Sequence, residues 1–101
     1  MNKPFKNTKY ITKGIQTALP FEIQLLLWNM IDVMNVTKKD YLQVFKFKII
    51  DKANQIVQIE HSQEKPQYKK YIEIKFNLDT DITIFCIDDI SHSTMLLTEE
   101  Y

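Results

Sequence analysis

Arginine is absent from this chain, and glycine nearly so. All thirteen basic residues are lysines, so the bidentate guanidinium fork that most often reads guanine is missing, which argues against sequence-specific DNA recognition. Gly14 is the only glycine, which excludes a glycine-rich phosphate loop and a dinucleotide fingerprint. We expect Gly14 to mark a turn with positive φ or a close backbone approach.

Cysteine and histidine are also scarce. Cys86 is the only cysteine and cannot form an intramolecular disulfide, and the two histidines have no zinc-ligand spacing. We therefore predict neither a metal nor another cofactor. The start of the chain lacks a charged region followed by an apolar one, and the longest apolar stretch is too short and polar to span a bilayer. These features predict a cytoplasmic protein that does not insert into membranes.

That apolar stretch, Leu19–Met34, predicts the one main helix of the protein. Pro20 fits a first-turn position and Glu22 interacts favourably with the helix dipole. At helical spacing, one broad apolar face is formed by Ile23, Leu26, Leu27, Met30, Val33 and Met34. The opposite side is mostly polar, with Glu22, Gln24, Asn29, Asp32 and Asn35. We expect the broad face to pack against a sheet.

A second, narrower apolar stripe runs through the polar side of this helix. It consists of Phe21, Leu25 and Trp28, at spacings of four and three residues. Either the protein's own N-terminal or C-terminal segment folds over the stripe, or the stripe is a surface for self-association or for a partner protein. The sequence leaves both alternatives open.

The rest of the chain reads as strands and turns. Residues 40–50, 55–62 and 68–76 alternate between apolar and polar side chains, and residues 9–12, 82–87 and 93–98 add shorter candidates. Short turns between strands imply antiparallel pairing, and apolar residues of both parities in 82–87 predict a central strand with both faces covered. We predict a single α+β domain, residues 1–101, with the helix on an antiparallel sheet of about five to six strands and a flexible arm over residues 1–9.

Charge is unevenly spread along the chain. The first twenty residues carry four lysines and no acid, whereas the stretch from residue 77 onward carries no lysine. Its carboxylates define a candidate acidic surface, Asp79, Asp81, Asp88, Asp89, Glu99 and Glu100. The two ends either neutralise each other within the fold or form an acidic face that meets a basic partner or mimics nucleic acid.

Candidate chemistry is sparse. His61 shares the inward parity of its strand, which favours a hydrogen-bonded core residue over an acid, base or ligand. A composite cleft of His61, Gln63 and Glu64 is the alternative. Cys86 has the parity of an inert core thiol, and no triad or nucleophile motif occurs. We therefore expect a protein that is not an enzyme, with no catalytic residue assigned.

Several stretches together resemble one bacterial family across residues 9–101. They are Tyr10-Ile11-Thr12 with Gly14, Leu19-Pro20 with Gln24 and Leu27-Trp28, Asp40–Phe45, His61 with Gln63-Glu64, Pro66 and Tyr68, Ile87-Asp88-Asp89, and Ser93–Leu97 with Glu99-Glu100-Tyr101. This set is similar to the uncharacterised Gram-positive domain-of-unknown-function family number nine hundred and sixty, some members of which lie on mobile elements. The resemblance implies a compact bacterial protein without a known activity.

Three functions are compatible with these observations. The first is a small binding or regulatory module that acts through protein contacts, as a homodimer or with a partner, in the role of an accessory protein of a mobile element. The second is a nucleic-acid-associated protein. It either contacts phosphate through the lysine-rich N-terminal arm and the strand faces with Lys46, Lys48, Lys69 and Lys75, or presents the acidic surface as a DNA mimic to a DNA-processing enzyme. The third is an enzyme centred on His61 and Glu64.

Overall fold

The segments predicted as strands form one six-stranded sheet in the computed structural model, which describes residues 4–101. The sheet order is β1-β6-β5-β2-β3-β4. The elements are β1 (Thr8–Ile11), α1 (Lys13–Ala18), α2 (Phe21–Val33), β2 (Leu42–Asp51), β3 (Ile56–Gln63), β4 (Tyr68–Lys75), β5 (Ile82–Asp88), β6 (His92–Leu97) and a 3-10 turn (Thr98–Glu100). The α+β prediction is confirmed, and the candidate strand over residues 93–98 forms as β6.

The sheet is mixed rather than antiparallel throughout. Strands β2 to β6 pair antiparallel with their neighbours, as the short turns predict. The exception is β1, which pairs in parallel with β6, with Thr8 opposite His92 and Ile11 opposite Met95. Short turns constrain the pairing of consecutive strands only. They carry no information about the contact between the first and last strands.

Two helices replace the single helix predicted over residues 19–34. Leu19 is extended, with φ −127° and ψ 132°, because the ring of Pro20 disfavours helical geometry in the residue before it. Pro20 is the N-cap of α2 rather than part of its first turn. The separate helix α1 begins after Thr12, whose hydroxyl accepts a hydrogen bond from the Ile15 amide.

Helix α2 buries a face rotated slightly from the predicted one. Leu27, Met30 and Met34 are buried as expected. Gln24 is buried as well, and its amide donates at 3.0 Å to the carbonyl of Leu19, the buried C-cap residue of α1. Val33, by contrast, is 61% exposed, because the buried face is centred on the side of Gln24, Leu27 and Ile31 and so excludes it.

The core lies between the two helices and one face of the sheet. Strands β2 and β3 supply its centre through alternate residues, and β5 and β6 add a thinner layer. Burial of these side chains is the main term that stabilises the fold. The largest fully buried apolar members are Phe45, Phe47, Ile15, Leu19, Leu27, Ile31, Ile59, Ile84 and Met95.

The N-terminal segment is packed from Pro4 onward, in contrast to the flexible arm expected over residues 1–9. Phe5 is only 4% exposed, and its amide donates to Asp88 at 3.2 Å. Asn7 also donates to Asp88, at 2.8 Å, and accepts from the Ser93 hydroxyl at 2.6 Å. These contacts bring the segment onto the β5–β6 turn; residues 1–3 of the predicted arm lie outside the described part of the chain.

The face of the sheet opposite the helices, which we call the outer face, is not covered by a second layer within residues 4–101. Phe85 and Ile87 of the central strand β5 point to this face and are only half-buried. The Tyr101 ring contacts Phe85 edge-on, with centroids 5.6 Å apart. Full coverage of both faces of β5 was therefore a wrong prediction. Apolar side chains on the second face of a central strand can be half-buried without a second layer, because large side chains on the neighbouring strands cover them in part.

Candidate functional site

The predicted stripe on α2 remains largely exposed, and we call Phe21, Leu25 and Trp28 the α2 patch. Phe21 is 64% exposed and Leu25 is 50% exposed. Trp28 is half-buried and packs against the core. The stripe is therefore split: its C-terminal end belongs to the fold, and its N-terminal end is an apolar surface of the described chain.

The N-terminal segment accounts for the partial burial of Trp28. The Lys9 ammonium lies 5.5 Å from the centroid of the Trp28 ring, a cation–π arrangement. The same ammonium donates to the carbonyls of Phe5 and Asn7. A groove of about 330 Å³ remains between this segment and Leu25. The sequence does not predict this contact, because no local pattern relates a lysine to a tryptophan nineteen positions later.

Charged groups close the far end of the groove. The Lys6 ammonium forms an ion pair with Asp32, and the hydrogen bond from Lys6 lowers the pKa of the Asp32 carboxyl. Lys39 donates to the Asp32 carbonyl at 3.3 Å. Desolvation lowers the pKa of Lys9, and the nearby charge of Lys6 lowers it further. The groove thus has an apolar floor and a mixed, partly neutralised rim.

His61 and Gln63 form a buried polar network with Gln43. Gln43 donates to the Gln63 side-chain oxygen at 2.7 Å and to the Asp40 carbonyl at 3.0 Å. Gln63 donates to the carbonyls of Lys38 and Pro66, at 3.1 and 2.8 Å. The network therefore joins the loop before β2 to the turn after β3. Gln43 was not predicted as part of a site, although the alternation along β2 places its side chain on the buried face.

These hydrogen bonds fix the tautomer of His61. The two carbonyls that accept from Gln63 orient its amide, and this in turn makes the Gln43 oxygen face His61 Nε2 at 2.7 Å. His61 Nε2 must therefore carry the proton and donate. The other nitrogen, Nδ1, is buried and has no hydrogen-bond partner within residues 4–101.

The surroundings of His61 keep it neutral. Its ring is fully buried and stacks on Phe45, with centroids 4.4 Å apart, while Tyr68 contacts it edge-on. Desolvation lowers the pKa of His61 to about 4, and the positive charge of Lys70 acts in the same direction. This agrees with the interpretation of His61 as a hydrogen-bonded core residue.

Of the composite cleft suggested for His61, Gln63 and Glu64, the structure brings together Gln63 and Glu64, which line a cavity of about 570 Å³, but His61 does not line it. His61 and Gln63 are buried in the network, whereas Glu64 is exposed in the turn after β3. A substrate on the surface would not reach His61, so the geometric basis for an enzyme centred on these residues is lost. Cys86 is fully buried, and burial raises the pKa of its thiol, which makes it an unreactive core residue.

The six acidic residues do not form one surface. Asp88 and Asp89 lie where β5 ends, whereas the other four lie near the opposite end of β5, about 20 Å away by strand rise. Several of these carboxylates have partners within the chain: Asp81 accepts from the Ile49 amide at 2.9 Å, and Asp88 binds the N-terminal segment. The structure thus divides the predicted acidic surface into two groups.

Glu100 has a structural role that the sequence did not reveal. Its carboxylate accepts from the Thr12 hydroxyl at 2.6 Å and from the amides of Gly14 and Leu97, at 3.1 and 2.9 Å. A Cβ atom on Gly14 would lie 2.6 Å from this carboxylate. Gly14 has no positive φ, so of the two expected reasons for glycine the close approach is the correct one.

Four lysines share the outer face of the sheet. Lys46 and Lys48 of β2 and Lys69 and Lys75 of β4 are all exposed there. A cavity of about 570 Å³ opens beside Lys46 and Lys69, lined in part by Tyr41, Leu42 and Val44. Residues 4–101 contain no group of three or more candidate metal ligands and no helix long and apolar enough to cross a membrane.

Comparisons with other proteins concern the family and the fold. The model of a family described as "Staphylococcal protein of unknown function (DUF960)" matches residues 8–100. A crystal structure of a protein of unknown function from Enterococcus faecalis is similar to this chain, with a TM-score of 0.81 and 25% sequence identity. The match covers 100% of this chain and 98% of the Enterococcus chain. No match was found among curated proteins.

Proposed function

The chain belongs to the DUF960 family of Staphylococcal proteins of unknown function, and because membership assigns no activity, we propose from the geometry that it is a small binding module acting through protein contacts. The observation that carries the proposal is the exposure of Phe21 and Leu25, 64% and 50%, on one side of α2. Adjacent exposed large apolar side chains on a helix are typical of surfaces buried in a complex.

The environment of the α2 patch supports this use. Trp28 and Phe5 anchor its base in the core, so the patch is held on a rigid helix rather than on a loop. The groove beside Leu25 gives it a concave edge, and the Lys6–Asp32 pair gives it a polar rim. An apolar centre with a polar rim is the usual anatomy of a protein interface.

The proposal is tested with a variant that changes the patch without changing the core. Phe21→Ser combined with Leu25→Ser removes the exposed apolar groups. The matched control is Val33→Ser, because Val33 is equally exposed on the same helix but faces a different direction. Both variants should keep the stability of the wild type to within about 0.5 kcal/mol, because the altered side chains are surface groups.

Sedimentation of the purified protein measures self-association, and crosslinking in a native lysate followed by mass spectrometry identifies partners. We expect the dimer or the partner to be lost with the double variant and kept with Val33→Ser. A monomer at high concentration together with a crosslinking pattern that is the same for all three proteins would refute the proposal.

Trp28 is less suitable for this test. Because its ring is half-buried under Lys9 and against the core, Trp28→Ala should lower the free energy of unfolding by up to about 3 kcal/mol. A loss of binding in that variant would therefore not distinguish an interface residue from a core residue.

A further inference from the structure

Strand β4 is a free edge of the sheet. It is the last strand in the sheet order and pairs on one side only, with β3. It has eight residues, all in unbroken register with β3, whereas β1 at the other edge has four. A long, regular edge presents a row of backbone groups to another strand. We propose that β4 pairs antiparallel with β4 of a second copy of this chain, so that the sheet continues across a two-fold axis.

The backbone of β4 can form hydrogen bonds on both sides. The Phe76 amide donates at 2.8 Å to the Gln55 carbonyl just before β3, in continuation of the β3–β4 register. Backbone groups of successive residues in a strand point alternately to its two sides, so even-numbered residues of β4 face β3 and odd-numbered ones face away. The amides and carbonyls of Lys69, Tyr71 and Glu73 therefore lie on the free edge. No turn, loop or side-chain hydrogen bond occupies them within residues 4–101.

The side chains of these three residues are exposed on the outer face. Tyr71 is 52% exposed, and Lys69 and Glu73 are exposed on either side of it. Directly opposite on β3, Lys69 faces Ser62 and Glu73 faces Gln58, so neither charge has an opposite charge as its cross-strand neighbour. Neither residue forms an ion pair within the described part of the chain. Both charges are therefore available to a partner strand.

Charge favours one register for this pairing. A two-fold axis perpendicular to the sheet puts the outer faces of both copies on the same side, so each residue opposes one of the same parity. With Tyr71 on the axis, Lys69 opposes Glu73 of the second copy, and Glu73 opposes Lys69. This register gives two attractive charge pairs and pairs residues 68–74 of each strand.

The neighbouring registers bring like charges together. An axis at Lys70 places the two copies of this lysine opposite each other, and an axis at Glu73 does the same for the glutamate. An axis at Ile72 places Lys69 opposite Lys75 in two pairs. Like charges directly opposite each other destabilise a strand pair. The register with Tyr71 on the axis is therefore the one that the side chains favour.

The inner face of β4 gains cover in the same register. Ile72 and Ile74 are half-buried at this edge of the core. In the paired sheet Ile72 opposes Lys70 of the second copy, whose aliphatic stem extends over it. Edge lysines commonly prevent strands from pairing. Here Lys70 meets no like charge, and Lys75 opposes the uncharged Gln67.

Reversal of charge tests the pairing. Sedimentation equilibrium is measured from about 10 to about 500 μM, because a small interface gives a weak complex. Glu73→Lys and Lys69→Glu each place like charges in both pairs, and each should weaken the dimer about tenfold or more. The two substitutions together restore both pairs with the signs exchanged, so this double variant should dimerise like the wild type.

The control variant is Lys75→Glu. It reverses an exposed charge on the same strand and face, but its neighbour in the proposed register is uncharged, so the dimer should be unchanged. All the substituted side chains are exposed, and circular dichroism should show the same fold for every variant.

Amide hydrogen exchange, followed by nuclear magnetic resonance, tests the edge without any substitution. The amides of Lys69, Tyr71 and Glu73 should exchange more slowly as the protein concentration rises. The amides of Lys70 and Ile72, which face β3, should exchange at the same rate throughout. A monomer at all concentrations, a Glu73→Lys dimer as strong as that of the wild type, or a double variant that does not recover would each overturn the proposal.

The pairing of β4 does not rest on the α2 patch, and the two proposals fail separately. The Phe21→Ser, Leu25→Ser variant should keep the β4 dimer, and the contact that it loses is then the one with a partner protein. A dimer that is lost in this variant and kept in Glu73→Lys would belong to the α2 patch and would overturn the pairing through β4.

Discussion

Mild acid should destabilise this protein through one side chain, His61. In the folded state, burial lowers the pKa of His61 to about 4 from the ordinary value of 6.5. The unfolded chain therefore binds a proton more readily than the folded one, and protons favour unfolding. The neutral histidine's contribution is fully present well above pH 6.5 and is lost as the pH falls from there towards 4.

The magnitude follows from the difference between the two pKa values. Each unit corresponds to about 1.4 kcal/mol, so the full loss from neutral pH to below pH 4 is about 3 kcal/mol. Between about pH 7.5 and about pH 5 the expected loss is about 2 kcal/mol. Against a typical total stability of about 5–15 kcal/mol for a domain, this change is easily measured.

Urea denaturation at these two pH values, followed by circular dichroism, measures the loss. His61→Gln removes the titrating group and keeps an amide that can donate to Gln43, so its free energy of unfolding should change little between the two pH values. His92→Gln is the control and should keep the wild-type pH dependence. Carboxyls with lowered pKa values, such as Asp32 and Glu100, lose their contribution only below about pH 4.5, outside this window.

A direct titration of the His61 ring by nuclear magnetic resonance provides the decisive result. An apparent pKa near 6.5 in the folded protein would refute the reasoning. So would equal losses of stability in the wild type and His61→Gln.

Two further predictions concern the backbone. Gly14→Ala should lower the midpoint of thermal unfolding, although alanine normally stabilises a helix relative to glycine. Its Cβ would lie 2.6 Å from the Glu100 carboxylate and would displace it from its hydrogen bonds with Thr12, Gly14 and Leu97. In a Glu100→Ala background the same change should raise the midpoint, and a rise in both backgrounds would contradict this reasoning. Ile90 has φ 67° and is 70% exposed, so Ile90→Asn should raise the free energy of unfolding by about 1 kcal/mol. An unchanged or lower stability would show that the isoleucine is not strained.

The elements that the sequence predicted well are those with a strong local period. Alternation along β2, β3 and β4 placed their faces correctly, because the pleat of a strand sends successive side chains to opposite sides. His61 was correctly placed in the interior for the same reason. Pro20 also accounts for the break between α1 and α2, because its ring disfavours helical geometry at Leu19. The prediction of one helix from Leu19 considered only the fit of Pro20 to a first turn.

Local sequence patterns predict only part of the candidate site. Helical spacing located Phe21, Leu25 and Trp28 on one stripe, but it could not show that Trp28 alone would be covered. That outcome depends on Phe5 and Lys9, which reach α2 because β1 pairs with β6. The six acidic residues lie in the same quarter of the sequence but not in one place in the structure, because they are at opposite ends of β5.

The sequence by itself determined the fold class, the strands, the face of the sheet that carries Lys46 and Lys48, and the absence of phosphate-loop and guanidinium chemistry. These properties follow from residue types and from periods of two and about 3.6 residues, which act within a few positions. Only the tertiary structure decided the parallel pairing of β1 with β6, the network of Gln43, His61 and Gln63, and the close approach of Glu100 to Gly14. Each of these joins residues far apart in the chain, and the free energy that selects them comes from burial and hydrogen bonding that exist only once the whole sheet has formed.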